Sequence, residues 1–555
     1  MAALRWLLRR YKWLVAISAL LALFTLIHFK RQPTEVKLVR RYRSNEQHAN
    51  MANWPTPLAQ HWRANTEQLA VLDTIIHDAQ CTTCHDDIDW SHRQQRVVSA
   101  ARTAWHSYAR DAFGHDDYFP LSHRGSNFTH LGIGYIVADV LDTLWLMGLR
   151  DEYKMGRDFL ANQVSFDQRG TVSLFESTIR ILGGLLSAYH LSGETDTKLL
   201  MLADDLGSRL AKSFNTTTGI PPETATLRSD GMSFAYVCST SESSTLQLEF
   251  RYLAHLTNNP MYKESVDRII DVMLNAPKYD SLVPTRIDAK TGLFVGTEIS
   301  LGSRGDSYYE YMLKQWLQTK QSEVDLRVEY DAAVRGIKKY LVRTSPRQGL
   351  TYVGEMVDVT GEPKFSPKMD HLVCFLAGNL ALGATNGTHV RKAHLSARDR
   401  DDLVLARELG ETCAHMYFDT PSGLAPEIAY FALSNETTNQ ILSNGDILVP
   451  PLDRHSLLRP ETVESFYLLW KLTGEKKWRE YGWRVFEAIE RCAHGEYTSL
   501  DDVTVVPPTK RDSVESFFVA ETLKYLYLLF DDGDRVPLTH YVFNTEAHPL
   551  PIFSL

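Results

Sequence analysis

The sequence predicts an all-α-dominant fold, a toroid of helical hairpins, and three features lead there. Apolar runs without internal proline recur from about residue 94 onward. Several are followed by a short turn and then a more amphipathic helical stretch. Four residues that begin such runs, Glu176, Glu242, Asp306 and His371, stand 66, 64 and 65 positions apart. A helical hairpin repeated at a near-constant interval brings equivalent helix ends to one mouth.

The chain opens with an uncharged, mostly apolar stretch, Trp13–Phe29, flanked by Arg9, Arg10 and Lys12 before it and Lys30 and Arg31 after it. It is short for a bilayer span but workable in the thin membrane of the endoplasmic reticulum. No small-x-small cleavage site follows it, so a signal anchor is favoured over a cleaved leader. Basic residues on both sides leave orientation open. Sequons at Asn127, Asn215, Asn386 and Asn435 point to a lumenal C-terminal part. The domain reading is thus a cytoplasmic tail at 1–12, an anchor at 13–29, a lumenal stem at 30–90 and a globular domain at 91–555. The stem is polar and proline-containing, as a linker would be. Within it, Cys81-Thr-Thr-Cys84-His85 matches a c-type haem attachment motif, but in an anchored lumenal chain a disulfide or thiols fit better.

Over 555 residues, 44% hydrophobic content marks a globular chain, and a net charge of -9 without a basic stripe excludes nucleic acid as partner. The inner, nearly all-apolar helices are read at Thr178–Leu191, Thr245–Leu256, Tyr308–Thr319, Leu372–Leu382, Val463–Leu472 and Phe517–Phe530. Amphipathic partners follow at Lys198–Phe214, Tyr262–Leu274 and Trp478–Cys492. Strands are few; Gly349–Val353 suits a small hairpin at the rim.

Acids and arginines cluster where the inner helices begin. Glu176 and Arg180 lie at i and i+4, Asp306 and Glu310 repeat that spacing, and Glu461 and Glu464 follow Arg459-Pro460. A single acid in a first helical turn needs no more than the helix dipole to explain it. Three such clusters, each opening an apolar helix of one repeat, suggest an acidic pocket. Two carboxyl groups with opposed protonation are what glycosidic hydrolysis needs. Tyr308, Tyr309 and Phe517 are candidates to stack on sugar rings. The C-terminal Phe543-Asn-Thr-Glu-Ala-His-Pro549 has no helix or strand period and reads as a loop.

The stretches FESTIR-ILGGLLSAYHLSG, SRGDSYYEYMLKQW, KMDHLVCFLAGN, RPETVESFYLLW, ESFFVAETLKYLYLLF and VFNTEAHP together closely resemble the class I alpha-1,2-mannosidases, glycoside hydrolase family 47. The resemblance runs from about residue 90 to 555 and leaves the stem outside. It implies an (α/α)7 barrel plugged at one end by a β-hairpin, an inverting mechanism and a Ca2+ ion at the pocket base. By motif, Glu461 looks like the general base and Glu176 the general acid, with Asp306 its rival. An inverting pair stands about 6.5–9.5 Å apart. Thr545 resembles the calcium ligand, with water filling the other positions under the carboxylates of Glu464, Glu521 and Glu546. Arg180, Glu242, Arg304, Glu310, His371, Glu427, Arg459 and Phe517 fall at positions lining the sugar site. Cys374 and Cys413 match the family's disulfide, and Cys238 and Cys492 are left as buried thiols.

Arginine at 304, two residues before Asp306, is the feature of the endoplasmic-reticulum type, where Golgi-type members commonly carry leucine. The resemblance then implies removal of one middle-branch mannose from Man9GlcNAc2, giving a Man8 isomer. The expected partners are high-mannose N-glycans and, through one anchor, the membrane of the endoplasmic reticulum or cis-Golgi; a monomer is favoured. The competing readings are a Golgi-type enzyme trimming to Man5 and a lectin-like degradation factor with little hydrolysis. A cyclase or prenyltransferase on a similar toroid lacks its aspartate-rich or zinc motif here.

Overall fold

Helices that are apolar on every side turn inward, and those with a single apolar stripe surround them. In Phe375–Thr385 every residue is buried, whereas Lys477–Ala493 buries Trp478, Val485, Phe486 and Ile489 along one face. The computed structural model describes residues 60–77, 88–228, 236–434 and 445–554, which lie within one compact unit, Trp54–Leu555.

Among the described residues, seven inner helical segments form a closed ring in chain order. Tyr135–Leu146 packs on Gly183–Leu191, and Gln247–Thr257, Asp306–Gln318, Phe375–Thr385, Glu461–Thr473 and Lys524–Leu529 follow in turn. The ring closes where Phe518–Leu523 returns to Tyr135–Leu146. Each inner helix has an outer partner: Arg150–Gln163, Thr197–Leu210, Pro260–Asn275, Val324–Tyr340, Ala397–Phe418 and Lys477–Ala493. The seventh outer helix, Trp90–Asp111, comes earliest of these in the chain yet packs against the last inner one, joining the two ends of the barrel. This is the expected (α/α)7 barrel. The hairpin of Tyr135–Leu146 and Arg150–Gln163 was not among the runs read from the sequence, because Asp139 and Asp142 interrupt its apolar pattern.

Short strands set the rim. Thr171–Ser173 pairs with Thr224–Thr226, Val237–Ser239 with Arg286–Asp288, and Lys368–Asp370 with Ile428–Phe431. The first strand of each pair runs straight into an inner helix, at Leu174, Thr240 and His371. The expected rim hairpin is present, pairing Thr351–Val353 with Val342–Thr344.

Several expectations change. Phe543 and Pro549 are strand residues, since Tyr541–Phe543 pairs with Pro549–Pro551 and only 544–548 forms the loop. That hairpin contacts the inner helices Gly183–Leu191, Gln247–Thr257 and Asp306–Gln318, consistent with the plug that the resemblance implies. Within the stem, Thr66–His77 is a helix packed on Ala397–Phe418. Leu69, Leu72 and Ile76 share one helical face there, and the Trp62 N–H donates to the Lys338 carbonyl at 3.1 Å. The anchor, Cys81, Cys84 and the Asn435 sequon lie outside the described residues. Among the described residues no helix is long and apolar enough to cross a membrane. Cys374 and Cys413 form a disulfide tying an inner helix start to its outer partner. Cys238 is buried, but Cys492, on an outer helix, is only half-buried.

Candidate active site

Two rim strands deliver Glu176 and Glu242, and a third delivers His371. Ser173 Oγ accepts from the Glu176 N–H at 3.1 Å and Ser239 Oγ from the Glu242 N–H at 3.3 Å, so both inner helices start from the same serine cap. The cap uses the backbone of each glutamate and leaves its carboxylate for the pocket. Directly after Glu176 the helix widens into a π-turn, Ser177–Leu182, and a second π-turn spans Phe518–Leu523. These irregular turns carry Arg180 and Glu521.

Arg180 is the hub of one wall. Its Nε donates to Glu176 Oε2 at 2.7 Å, and its Nη1 reaches Glu546 and Ser516. Glu176 Oε2 also accepts from the Tyr135 hydroxyl at 3.3 Å. The Phe517 ring lies between two guanidiniums, 5.5 Å from Arg180 and 5.3 Å from Arg459.

Glu461, the first residue of its helix after Pro460, anchors a second wall. His371 Nδ1 lies 2.8 Å from Glu461 Oε2, while His371 Nε2 faces the hydroxyls of Tyr417 and Thr462, each at 3.0 Å. An ionised carboxylate can only accept, so the Nδ1–H donates to Glu461. Arg459 stands 4.0 Å from Glu461 and donates to Glu427, whose other oxygen accepts from the Leu457 N–H at 2.9 Å. Burial works against ionising Glu461, but the hydrogen bond and charge of His371, together with Arg459, outweigh it and hold the group below the usual carboxylate range.

Asp306 has the opposite bias. Burial, with the charges of Glu310 and Glu461 nearby, pushes its carboxyl up to about 7 despite a 2.8 Å hydrogen bond from the Ser307 N–H. Glu242 is likewise pushed up to about 7, by burial and then by Glu223 and Glu176. Arg304 is exposed at the rim with φ 73°, and its carbonyl accepts from the Ser241 N–H at 3.0 Å. Glu242 thus senses the charge of Glu176, and Asp306 that of Glu461.

Below them lies a floor of carboxylates. Thr545 Oγ1 donates to Glu310 Oε2 at 2.9 Å, and Glu310 also pairs with the buried Lys314. Glu464, Glu521 and Glu546 are buried alongside. Burial raises Glu464 to about 8, and Glu521 and Glu546 well above the carboxylate range, with neighbouring carboxylates adding to each. Among the described residues no three His, Cys, Asp or Glu side chains are arranged to hold a metal directly.

The loop bearing Thr545 is held by residues that sequence reasoning missed. His548 bridges Asp142 at 2.9 Å and Asp139 at 3.2 Å, and Lys524 meets Asp142 at 2.9 Å and the Ala547 carbonyl at 2.7 Å. Asn544 donates to the Ile179 carbonyl at 2.9 Å and to Glu249 at 2.8 Å, and Tyr311 links Glu249 to the Thr545 N–H. The signal was polar residues set within apolar runs, two of them in Tyr135–Leu146, and nothing in the spacing told which would face the loop. One expected role fails. Tyr308 and Tyr309 are fully buried beside the barrel wall, with the Tyr309 hydroxyl accepting from the Val283 N–H at 3.0 Å, so neither can stack on a sugar.

Residues 100–552 match the model of glycosyl hydrolase family 47. The chain belongs to glycosyl hydrolase family 47. Within family 47 it is 43% identical to the mannosyl-oligosaccharide 1,2-alpha-mannosidase MNS3 of Arabidopsis thaliana, over 85% of this chain and 81% of that one. It is 43% identical to the endoplasmic reticulum mannosyl-oligosaccharide 1,2-alpha-mannosidase of Schizosaccharomyces pombe, over 83% and 90%. A solved alpha-1,2-mannosidase from Trichoderma reesei superposes with a TM-score of 0.76 at 29% identity, covering 83% of this chain and 99% of the other.

Proposed function

We propose that this family 47 chain hydrolyses terminal α-1,2-linked mannose from high-mannose N-glycans in the endoplasmic reticulum, with inversion. The observation that carries the reading is the opposed pair. Glu461 is held ionised by His371 and Arg459, while Asp306 keeps a proton near neutrality. Glu461 then acts as the base that takes a proton from water as it attacks the anomeric carbon. Glu176 and Asp306 compete for the acid that protonates the leaving oxygen. Asp306 is favoured, because Glu176 Oε2 is already engaged by Arg180 and Tyr135. Arg180, Arg459 and Glu427 would orient the sugar from the two walls, and Phe517 between the guanidiniums gives it an apolar edge.

The family's calcium fits this floor. The available donors are hard oxygens, as Ca2+ prefers. Of the four floor carboxylates, Glu310 pairs with Lys314 and Glu546 with Arg180, while burial and mutual repulsion disfavour charge on Glu464 and Glu521, a penalty that a divalent cation would relieve. Thr545 would hold the ion, with Glu464, Glu521 and Glu546 orienting its waters. When bound, the ion supplies electrostatic binding of the sugar hydroxyls. Arg304 at the rim supports selection of one branch and hence a Man8 product, since a guanidinium makes several directed hydrogen bonds. The 13–29 segment would anchor the barrel on the lumenal side.

The test is a time course of Man9GlcNAc2 digestion with and without EDTA. One mannose released, dependent on calcium, is expected. Rapid progress to Man5 would favour the Golgi-type reading, and tight glycan binding without mannose release would favour the lectin reading. Chelation should also lower the melting temperature, since a ligand at 100-fold its Kd adds about 2.7 kcal/mol to native-state stability.

A further inference from the structure

Lys314 has no part in the reaction described above, yet it is set in the carboxylate floor. Its side chain is 3% exposed and pairs with Glu310 one helical turn earlier. Its Nζ also stands 3.8 Å from Glu464 Oε1 and 3.4 Å from the Asn544 carbonyl, next to Thr545. A lysine is rarely buried this deeply unless its charge is matched. Here it pairs with one floor carboxylate as Arg180 pairs with another, while His548 meets both Asp139 and Asp142 and Lys524 meets Asp142.

We propose that Lys314 tunes the charge of this floor so that it selects a divalent over a trivalent cation, an inference that rests on the calcium reading above. Lanthanide ions resemble Ca2+ in radius and in their preference for oxygen, so donor type and cavity size cannot separate the two. Charge can, because an added elementary charge on the floor attracts a trivalent ion half again as strongly as a divalent one. Replacing Lys314 with an isosteric neutral residue adds one uncompensated negative charge. Neutralising Glu310 removes one, and doing both restores the original sum.

The experiment measures Tb3+ and Ca2+ affinities at one pH, by terbium luminescence and calorimetry, for the full chain, Lys314→Met, Glu310→Gln and the double variant, with circular dichroism as the folding check. The Tb3+/Ca2+ affinity ratio should rise by about tenfold or more in Lys314→Met, fall in Glu310→Gln, and return to within about threefold of the parent in the double variant. An unchanged ratio in Lys314→Met, or a double variant that behaves like the lysine variant alone, overturns the inference. Should Lys314→Met not fold, Glu310→Gln still decides, since an unchanged ratio there is equally fatal. A parent chain that binds no Ca2+ defeats the calcium reading itself and the inference with it, and is told apart because all four proteins then fail alike.

Discussion

His548 Nδ1 lies 2.9 Å from Asp142 Oδ2, and solvent reaches neither side chain. With Asp139 on the other ring nitrogen, both nitrogens must donate, so the imidazole is doubly protonated. Burial opposes that charge, but Asp142 and Asp139 raise the affinity for the proton above the ordinary value. The pair pins the last turn of the chain into the barrel wall and thereby fixes where Thr545 stands.

Replacing His548 with alanine should leave Asp139 to Arg180 and Ser516, and Asp142 to Lys524 and Ser187. Breaking a buried pair in this way costs about 3–5 kcal/mol, to be read from urea unfolding. Loss below about 1 kcal/mol would mean that the ion pair does not hold the loop. Removal of residues 544–555 should abolish mannose release altogether, since it takes Thr545 and Glu546 with it.

Gly183 and Gly184 permit the plug and the first inner helix to come close. A Cβ on Gly184 would stand 2.2 Å from the Ala138 carbonyl oxygen, and one on Gly183 would stand 2.8 Å from Asn544 Nδ2. Overpacking of this kind costs about 1–3 kcal/mol. Gly184→Ala, which strikes backbone, should lower the melting temperature more than Gly183→Ala, which meets a side-chain atom. The reverse order in thermal melts would contradict the packing described.

Glu461→Gln keeps the shape of the base and loses its charge. Mannose release should fall by about 10²–10⁴-fold, while the dissociation constant for Man9GlcNAc2 stays within about tenfold of the parent value. Equal losses in binding and turnover would move Glu461 from base to sugar ligand.

The two carboxyls also set the pH profile. Glu461 is depressed, so it is the carboxylate already at mildly acidic pH and loses activity only as pH falls through its low value. Asp306 is raised to about 7, so its acid form is present below that pH and is lost above it. kcat/KM should therefore decline as pH rises through about 7. A flat profile from about pH 6 to 8.5 would exclude Asp306 as proton donor.

The barrel was legible because its hairpins are local. An apolar helix, a turn and an amphipathic helix are neighbours in sequence, so periodicity alone discloses them, and the interval between Glu176, Glu242, Asp306 and His371 discloses the ring. The hairpin starting at Tyr135 was missed since Asp139 and Asp142 look like solvent-facing residues in a linear pattern. Tyr308 and Tyr309 were misplaced for the converse reason. They flank the acids in sequence, but successive helical residues point about 100° apart, and theirs face the barrel wall.

By itself, then, the sequence determined the helical repeat, the acids at the inner helix starts and, through its motifs, family 47. Tertiary structure decided which acid is ionised and which keeps its proton. That difference arises from partners far apart in the chain, such as His371 beside Glu461 at 2.8 Å, and from burial that no linear pattern records. It also decided the standing of the C-terminal loop. Asn544, Thr545 and His548 look like a polar tail until Glu249, Tyr311, Asp139, Asp142 and Lys524 close around them.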